Sequence, residues 1–334
     1  MATSSRRMRA VQYDKYGGGA QGLKHVEVPI PAPKKGEVLI RVEAASINQV
    51  DWKFQKGIAR PFLPKKFPFT PGYDLAGEVV ELGSGVSCFE VGDKVIAINF
   101  PDGGGLAEYA VARASRTAVR TTDVAAADGA CLPIAAGTAL VALRTAGVSL
   151  DGGGGARKNV LVTAASGGVG HFAVQLARLG GHRVTATCGA RNVGLVGRLG
   201  ADEVLDYATP EGAALRSPSG RRYDAVVHCA TGFPWSAFSP ALADAGVVVD
   251  VTPGAAGVTT ALWQRATFSK KRLVPLFVSP TKEDMELLVG MAREGRLKAV
   301  IESRCPLSRA EECWAKSMSG HVTGKAVVVV GEEE

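Results

Sequence analysis

The segment NVLVTAASGGVGHFAVQLARLGG, residues 159–181, constrains the fold more than any other part of the chain. A β-branched run enters a turn of small residues, and the turn is followed by Phe172, Leu176 and Leu179 at helical spacing. A strand, a glycine-rich turn and a helix in this order open a βαβ unit, whose two strands are parallel. Further strand-like runs follow at RVTATC, EVLDY, YDAVVHC, VVVDVT and RLVPLFV. Helices are predicted between several of them, one over residues 234–246, so the sequence predicts an α/β domain with a doubly wound parallel sheet.

The rest of the chain has a different pattern. Up to about residue 130, short β-branched runs alternate with Gly, Pro and Asp turns, which predicts a small barrel with little helix. The final run KAVVVV must pair with another strand, so we expect the tail to return to this first domain. For 334 residues two domains are expected. We predict a β-rich domain of residues 1–133 and 297–334, an α/β domain of residues 134–296, and a loop at the DGGGG run, residues 151–155.

Composition excludes several other classes of protein. No apolar run reaches the roughly 18 residues that a membrane-spanning helix needs. The net charge is +7, but the basic residues are scattered and form no nucleic-acid module, so no nucleic-acid partner is expected. Six cysteines without a C-x-x-C pair argue against a zinc finger and against a dense disulfide scaffold. A reducing compartment is the simplest inference, and the start MATSSRRMRA is expected to be a frayed terminus.

The turn after the first α/β strand has two interpretations. Its spacing is A-x-x-G-x-x-G, and a lone glycine turn of this kind also occurs as a plain bend between a strand and a helix. The βαβ context favours a dinucleotide site, since residues without side chains let the backbone approach a pyrophosphate and the helix N-terminus attracts its charge. The residues expected to hold the cofactor here are Ala165, Ser166, Gly167, Gly168, Val169 and Gly170.

The end of the second α/β strand indicates which dinucleotide binds. An NAD site usually has an acid at that place for the adenosine ribose, but the sequence is ATCGARN, without an acid. Gly189 and Ala190 leave room there, Arg191 has the charge and fork geometry that suit a 2′-phosphate, and Tyr207 after the third strand is placed to cover it. We therefore expect NADPH rather than NADH; the alternative is that Arg191 simply faces water.

Several motifs together resemble a known family. SINQVDWKFQKG, PGYDLAGEVVELGSGVSCFEVGDKV, GGLAEYAV, AASGGVG and HVTGKAVVVV occur in the order seen in the medium-chain dehydrogenase/reductase superfamily. They are most similar to its quinone oxidoreductase branch, and TAASGGVGHFAVQLA, ATCGARN and LGADEVLDY resemble the plant chloroplast-envelope group. The resemblance implies a GroES-like catalytic domain around a Rossmann domain, a homodimer, and NADPH-dependent reduction of quinones or of the C=C bond of enones and enals. It also implies a chloroplast location, at the envelope or in the stroma; without it the cytoplasm would be expected.

The resemblance also bears on metal and on catalytic residues. The zinc alcohol dehydrogenases of this superfamily have a Cys and a His where this chain has Asn48 and Tyr73, so no metal is expected. Hydride transfer to an enone builds negative charge on the carbonyl oxygen, which needs a nearby donor. Lys53 is the candidate for that charge or for a proton, against a surface lysine as the alternative. Asn48 is expected to orient the nicotinamide ribose or the substrate oxygen, against a turn-capping role, and Asp51 is expected to cap the helix.

Other positions enter only through the resemblance. Thr138, Cys229, Ala230 and Phe277 fall where the family lines the cofactor, and Lys325 resembles a further cofactor-side position, with a solvated lysine as its alternative. A nucleophilic role for Cys229 is not expected, because His228 points to the opposite face of the same strand. A catalytically idle relative that binds RNA or serves a structural role stays open as the alternative function, and peripheral membrane association is a further expectation.

Overall fold

The computed structural model describes residues 6–64, 66–150, 156–277 and 279–331. The predicted 151–155 loop lies outside them. The chain divides into two compact units, residues 1–135 with 281–334, and residues 136–280. The first boundary therefore lies within two residues of the predicted one, but the second lies at 280/281 instead of 296/297.

Unit 1 is β-rich, as the turn spacing predicted. Its strands and helices up to the first boundary are β1 Arg7–Gln12, β2 Lys24–Pro29, β3 Glu37–Ile47, α1 Gln49–Gln55, β4 Asp74–Leu82, β5 Lys94–Ile98, β6 Tyr109–Arg113, β7 Thr117–Val119 and α2 Ala126–Ala130. The chain enters unit 2 through a π-helical turn, Leu132–Ala136.

Unit 2 is an alternating α/β unit. Its elements are α3 Gly137–Thr145, β8 Asn159–Thr163, α4 Gly170–Leu179, β9 Arg183–Cys188, α5 Val193–Arg198, β10 Glu203–Asp206, α6 Pro210–Ala213, β11 Tyr223–His228, α7 Trp235–Phe238, β12 Leu242–Asp250, α8 Ala255–Ala266 and β13 Arg272–Pro275. The chain then returns to unit 1 with α9 Lys282–Arg293, β14 Ile301–Pro306, α10 Ala310–Met318 and β15 Lys325–Val329.

The sheet of unit 2 has the strand order β10-β9-β8-β11-β12-β13, and all its pairs are parallel. In chain order this is 3-2-1-4-5-6, the Rossmann arrangement, whose direction of winding reverses between β8 and β11. β8 is buried on both faces, which explains its continuous apolar sequence. The predicted doubly wound sheet is confirmed.

Unit 1 has a two-stranded sheet, β1-β2, and a larger sheet that the C-terminal tail extends. The order of the larger sheet is β14-β15-β3-β4-β5-β7, with β6 also paired to β3, and β15 runs antiparallel to β3 from Ala326 opposite Ile47 to Val329 opposite Ala44. The predicted return of the tail is confirmed. α9 packs against β7 and so belongs to unit 1, whereas its place in the sequence predicts that it belongs to the α/β domain.

Two further predictions need correction. The helix predicted over 234–246 is only the four residues of α7, and β12 already begins at Leu242, because the apolar residues that follow pair with the neighbouring strand β11. Cys305 and Cys313 form a disulfide, which weakens the inference of a reducing compartment from cysteine spacing. Because α10 packs on β14, the Cα atoms of Cys305 and Cys313 lie 6.1 Å apart. No sequence motif indicates this pairing. In the described ranges no helix is long and apolar enough to cross a bilayer.

Candidate functional site

The glycine turn lies at the carboxyl end of β8, as predicted. Ala164 has a positive φ of 47°, and its carbonyl accepts a hydrogen bond from the Gly167 N–H at 2.9 Å, so the chain reverses within four residues. The Ala165 N–H donates to the Thr187 carbonyl of β9 at 2.8 Å, which ties the turn to the next strand. Helix α4 then begins at Gly170. The His171 and Ala173 N–H groups donate to the Gly167 and Val169 carbonyls, so an anion at this helix end would be favoured mainly by the positive end of the helix dipole.

Gly170 is required by close packing of the helix on the turn. A Cβ atom there would lie 2.3 Å from the Ala164 oxygen and 2.7 Å from the Ala165 Cα, which are backbone atoms that cannot move aside. At Gly167 a Cβ would meet only the Ala164 oxygen, at 3.2 Å. The two glycines therefore differ: Gly170 keeps α4 against the strand, and Gly167 leaves a bare stretch of backbone that a pyrophosphate can approach.

The ends of β9 and β10 bring a second group of predicted residues to the same edge of the sheet. A Cβ on Gly189 would lie 3.2 Å from the Tyr207 hydroxyl, so the tyrosine ring lies beside the bare backbone that follows β9. The Tyr207 N–H donates to the Cys188 carbonyl at 3.1 Å, and the side chain is 53% exposed. Arg191 is exposed and lies in the short 3₁₀ helix Ala190–Asn192. The pattern of glycine, guanidinium and phenol fits a 2′-phosphate.

The switch point between β8 and β11 carries a residue that sequence reasoning missed. The Thr163 hydroxyl accepts a hydrogen bond from the Cys229 N–H at 3.0 Å and lies 2.8 Å from His228 Nδ1. Through these two contacts Thr163 links the end of β8 to the end of β11 where the crevice opens. Burial lowers the pKa of His228, which rests against the rings of Phe233 and Phe238 and is neutral at neutral pH.

The remaining predicted positions of unit 2 are less closely grouped. Burial raises the pKa of the Cys229 thiol to about 12, which argues against a nucleophilic thiolate, as expected. The Ala230 carbonyl, next to it, accepts from the Thr252 hydroxyl at 3.1 Å. Thr138 is half-buried on α3, which packs against β11 and β12, and Phe277 follows β13 with 74% of its surface exposed.

In unit 1, helix α1 begins with a capping box. The Asp51 carboxylate accepts from the Asn48 N–H at 2.8 Å and from the Gly72 N–H at 3.1 Å, so the predicted capping role of Asp51 is confirmed. Asp51 is fully buried, and desolvation raises its pKa to about 6 despite these hydrogen bonds.

The Asn48 side chain makes more contacts than a cap would need. Its amide nitrogen donates to Asp74 Oδ2 at 2.8 Å and to the Ser46 carbonyl at 3.3 Å, while its oxygen accepts from Lys325 Nζ at 2.5 Å. Both amide protons are therefore in use, and the oxygen accepts from Lys325 and, in the capping box, from the Asp51 N–H. Asn48 thus has no amide proton left to donate to a substrate oxygen.

Asp74 is the second residue that sequence reasoning missed. It accepts from the Ile134 N–H at 3.0 Å and from the Ser46 hydroxyl at 3.2 Å, and burial raises its pKa to about 7, with Lys325 opposing that rise. Lys325 is 97% buried and is held by the Ile47 carbonyl at 3.3 Å as well as by Asn48. We call Asn48, Asp51, Asp74 and Lys325 the buried polar network. It holds one ammonium and two carboxyl groups, so a shared proton makes it neutral.

Lys53 lies on the same helix. Its side chain is partly buried, its ammonium lies 5.7 Å from the centre of the Trp52 ring, and burial lowers its pKa. The Lys53 ammonium is therefore partly shielded from water. A lysine with a lowered pKa releases a proton more readily than an ordinary one.

Tyr73 belongs to an aromatic cluster with Phe54, Phe69 and Phe100, and burial raises its pKa well above the ordinary value. A phenol held this way and an amide with both protons in use are poor replacements for the thiolate and imidazole that bind zinc. The side chains at these two places do not fit a catalytic zinc ion. Among the residues that the structure describes, no three His, Cys, Asp or Glu side chains are grouped to hold a metal.

Comparison with known proteins places this geometry in a family. Residues 34–123 match the model of the alcohol dehydrogenase GroES-like domain, and residues 199–328 match that of the zinc-binding dehydrogenases. The chain is 58% identical over 323 residues to the chloroplast envelope quinone oxidoreductase homolog of Arabidopsis thaliana, covering 96% of this chain and 98% of that protein. The chain belongs to the quinone oxidoreductase branch of the medium-chain dehydrogenase/reductase superfamily. Unit 1 is thus its GroES-like domain, and unit 2 is its Rossmann domain.

Two further comparisons agree with this family. The NADPH-dependent alkenal/one oxidoreductase of the Arabidopsis thaliana chloroplast is 30% identical, over 98% of this chain and 81% of its own length. The solved structure of the quinone oxidoreductase from Coxiella burnetii superposes with a TM-score of 0.85 at 32% identity, covering 97% of this chain and all of that one. Quinone oxidoreductases of this branch use a pyridine nucleotide, so the chain is an NAD(P)H-dependent oxidoreductase that acts on a small molecule.

Proposed function

We propose that the protein is a zinc-independent, NADPH-dependent reductase of quinones, of the C=C bond of α,β-unsaturated carbonyl compounds, or of both. The observation that carries the proposal is the edge of the Rossmann sheet. There the glycine turn, Gly189 and Arg191 follow neighbouring strands with no acid at the end of the second one. The relatives named for quinones and for alkenals support the two substrate classes.

The cofactor fits the residues present at that edge. The turn from Ala165 to Gly170 would hold the pyrophosphate, and Arg191 would pair with the 2′-phosphate beneath the Tyr207 ring. Thr138, Cys229, Ala230 and Phe277 are assigned to the remainder of the cofactor by family resemblance. Bound NADPH supplies the hydride, and the absence of an acid after β9 removes the group that holds the adenosine ribose hydroxyls in NAD enzymes.

The residues of unit 1 would manage charge and orientation. Hydride addition to the β-carbon of an enone produces an enolate, with negative charge on the former carbonyl oxygen. The enolate then takes a proton at the α-carbon. The Lys53 ammonium is the group we assign to that charge or that proton, since burial lowers its pKa. Asn48 is the residue we assign to orienting the nicotinamide ribose, and Lys325 would hold the Asn48 amide in place by donating to its side-chain oxygen.

The absence of zinc is part of the proposal. Asn48 and Tyr73 offer no thiolate or imidazole, so the carbonyl oxygen must be stabilised by hydrogen bonds and by the ammonium group. Dialysis against a strong chelator should leave turnover unchanged, and elemental analysis should find less than one zinc per chain. Loss of activity that returns on adding zinc would refute this part.

The first test is an activity panel. The purified protein is mixed with NADPH or NADH and with a series of quinones, enones and enals, and the nucleotide is followed at 340 nm. We expect turnover with NADPH on at least one class and a clear preference for it over NADH. No turnover on any compound would contradict the proposal and would favour an idle relative with an RNA-binding or structural role.

Location and assembly complete the proposal. We propose a chloroplast protein associated with the envelope at its periphery, as the name of the 58% identical relative suggests for that protein. We also propose a homodimer through the Rossmann sheet, because the edge strand β13 is flanked by exposed Leu262, Trp263 and Phe268. Sedimentation equilibrium should give twice the 34.7 kDa of the chain. A monomer at micromolar concentration would contradict the dimer.

A further inference from the structure

The stretch from residue 52 to residue 73, WKFQKGIARPFLPKKFPFTPGY, has an unusual charge pattern. It contains five lysine and arginine residues and no aspartate or glutamate, together with many aromatic and aliphatic residues. The chain as a whole has 39 basic and 32 acidic residues, so a run of 22 without an acid departs from its average composition. The proposed reaction uses only Lys53 from this run, and the structure shows what the rest does.

The loop after α1 exposes its large apolar side chains. Ile58 is 71% exposed and Phe62 is 78% exposed, three and seven residues after the end of α1. Lys56, Arg60 and Lys66 are exposed around them. In the part of the chain that the structure describes, none of these three cations forms an ion pair with an acid. The described part of this loop therefore presents exposed apolar side chains among exposed cations, and we call residues 56–64 and 66 the basic apolar loop.

The loop is held in place by the neighbouring tyrosine. The Arg60 guanidinium lies 4.1 Å from the centre of the Tyr16 ring, the Tyr16 hydroxyl donates to the Leu63 carbonyl at 3.2 Å, and Phe67 packs on the same ring edge-to-face at 4.9 Å. Packing on both sides of Phe62 therefore fixes a backbone that leaves this ring in solvent. Burying this exposed ring against another surface would be favourable, because it removes apolar area from water.

Another exposed apolar residue of unit 1 shows that exposure alone does not define such a surface. Val91 is 65% exposed, but it lies between Glu90 and Asp93 in an acidic turn. Around Ile58 and Phe62, by contrast, the exposed charged side chains are cations that form no ion pair with a described acid. Cations attracted to anionic headgroups, with apolar side chains reaching the acyl boundary, are the combination by which peripheral proteins bind a lipid surface.

We propose that the basic apolar loop is the surface by which the protein docks on an anionic lipid bilayer, with Phe62 and Ile58 inserted at the interface. The inference rests on the peripheral membrane association proposed above and names the residues that perform it. It does not depend on the reaction, because lipid binding can be measured without turnover.

The test is sedimentation with vesicles, using the full chain. One vesicle set is phosphatidylcholine alone and the other contains about one third phosphatidylglycerol, a composition that gives the surface a negative potential. The variants are Ile58→Ser with Phe62→Ser, and Lys56→Gln with Lys66→Gln. The matched controls are Val91→Ser, for an equally exposed apolar residue, and Lys34→Gln with Lys35→Gln, for an exposed lysine pair elsewhere on unit 1. Urea unfolding midpoints verify that each variant is folded.

We expect the native chain to bind the anionic vesicles and not the neutral ones, and high salt to release it. The serine pair should lower the partition coefficient about tenfold, and each glutamine about fivefold at low salt, while both controls stay within about twofold. Binding by both loop variants at the native level would overturn the assignment of the surface and leave the membrane association standing. No binding of the native chain to either vesicle would overturn both, and neither outcome would affect the reductase proposal, which the 340 nm assay decides separately.

Discussion

The buried polar network allows a prediction that joins stability, pH and one side chain. Lys325→Met removes the ammonium group that donates to Asn48 but keeps a side chain of similar length. Asp51 and Asp74 then remain buried without a cation. Breaking a buried charge pair from one side costs about 3–5 kcal/mol when the remaining charge stays ionised, and we expect this loss in unfolding free energy at pH 8.

At low pH the same variant should be far less affected. The pKa values of Asp51 and Asp74 are about 6 and about 7, so both carboxyl groups are neutral near pH 5 and no longer need the ammonium. There we expect a loss of only about 1 kcal/mol, the value of a hydrogen bond to Asn48. The stability of the native protein should change with pH in the same direction. Between about pH 4 and pH 7 the folded chain holds protons that the unfolded chain has released, so the free energy of unfolding falls as the pH rises. The variant should show a steeper fall.

The assay is urea unfolding followed by circular dichroism at pH 5 and pH 8. Lys316→Met is the control, because Lys316 makes an exposed ion pair with Glu302 that contributes about 1 kcal/mol or less. Asp74→Asn should recover much of the loss at pH 8 when it is combined with Lys325→Met, since it removes the unpaired carboxylate. Equal losses at the two pH values, or strict additivity of the two substitutions, would refute the reasoning.

Three further predictions concern the cofactor edge and α1. Gly170→Ala should lower the free energy of unfolding by about 1–3 kcal/mol, because its Cβ would lie 2.3 Å from a backbone oxygen. Gly197→Ala is the control: it lies in open space on α5 and should stabilise the protein slightly. A higher thermal midpoint for Gly170→Ala than for Gly197→Ala would contradict the close packing at Gly170. Arg191→Ala should raise KM for NADPH at least tenfold and leave KM for NADH nearly unchanged in steady-state kinetics; equal effects would separate Arg191 from the 2′-phosphate. Lys53→Ala should lower kcat on enones about 10²-fold. If only the positive charge matters, Lys53→Arg should restore part of that loss. An unchanged kcat would show that Lys53 is a surface lysine without a catalytic role.

Much of the fold could be predicted because its signals are local. The run from β8 through the glycine turn to α4 is contiguous, and the pairing of β15 follows from the need of a lone strand for a partner. The helix prediction over residues 234–246 was wrong. An apolar run of this kind suits either a buried strand or a helix, and here the pairing of Leu242 with Tyr223 stabilises the strand.

The candidate site could be predicted only in part, for a related reason. Gly170, Gly189 and Arg191 lie within thirty residues of one another, so their spacing is visible. Lys325 and Asn48 are 277 residues apart, and nothing local indicates that the tail carries the ammonium that balances Asp74. One signal was present: an acid among apolar strand residues in GYDLAGEVV must be buried on one face and therefore needs a partner.

Transfer of the hydride itself tests the central claim most directly. The protein is given NADPH carrying deuterium at nicotinamide C4, on either face, together with an enone that turns over, and the product is analysed by mass spectrometry and NMR. We predict one deuterium at the β-carbon from one of the two labelled cofactors, and a solvent-derived hydrogen at the α-carbon. A product without cofactor deuterium, or with deuterium on the carbonyl carbon, would contradict direct hydride transfer to the C=C bond.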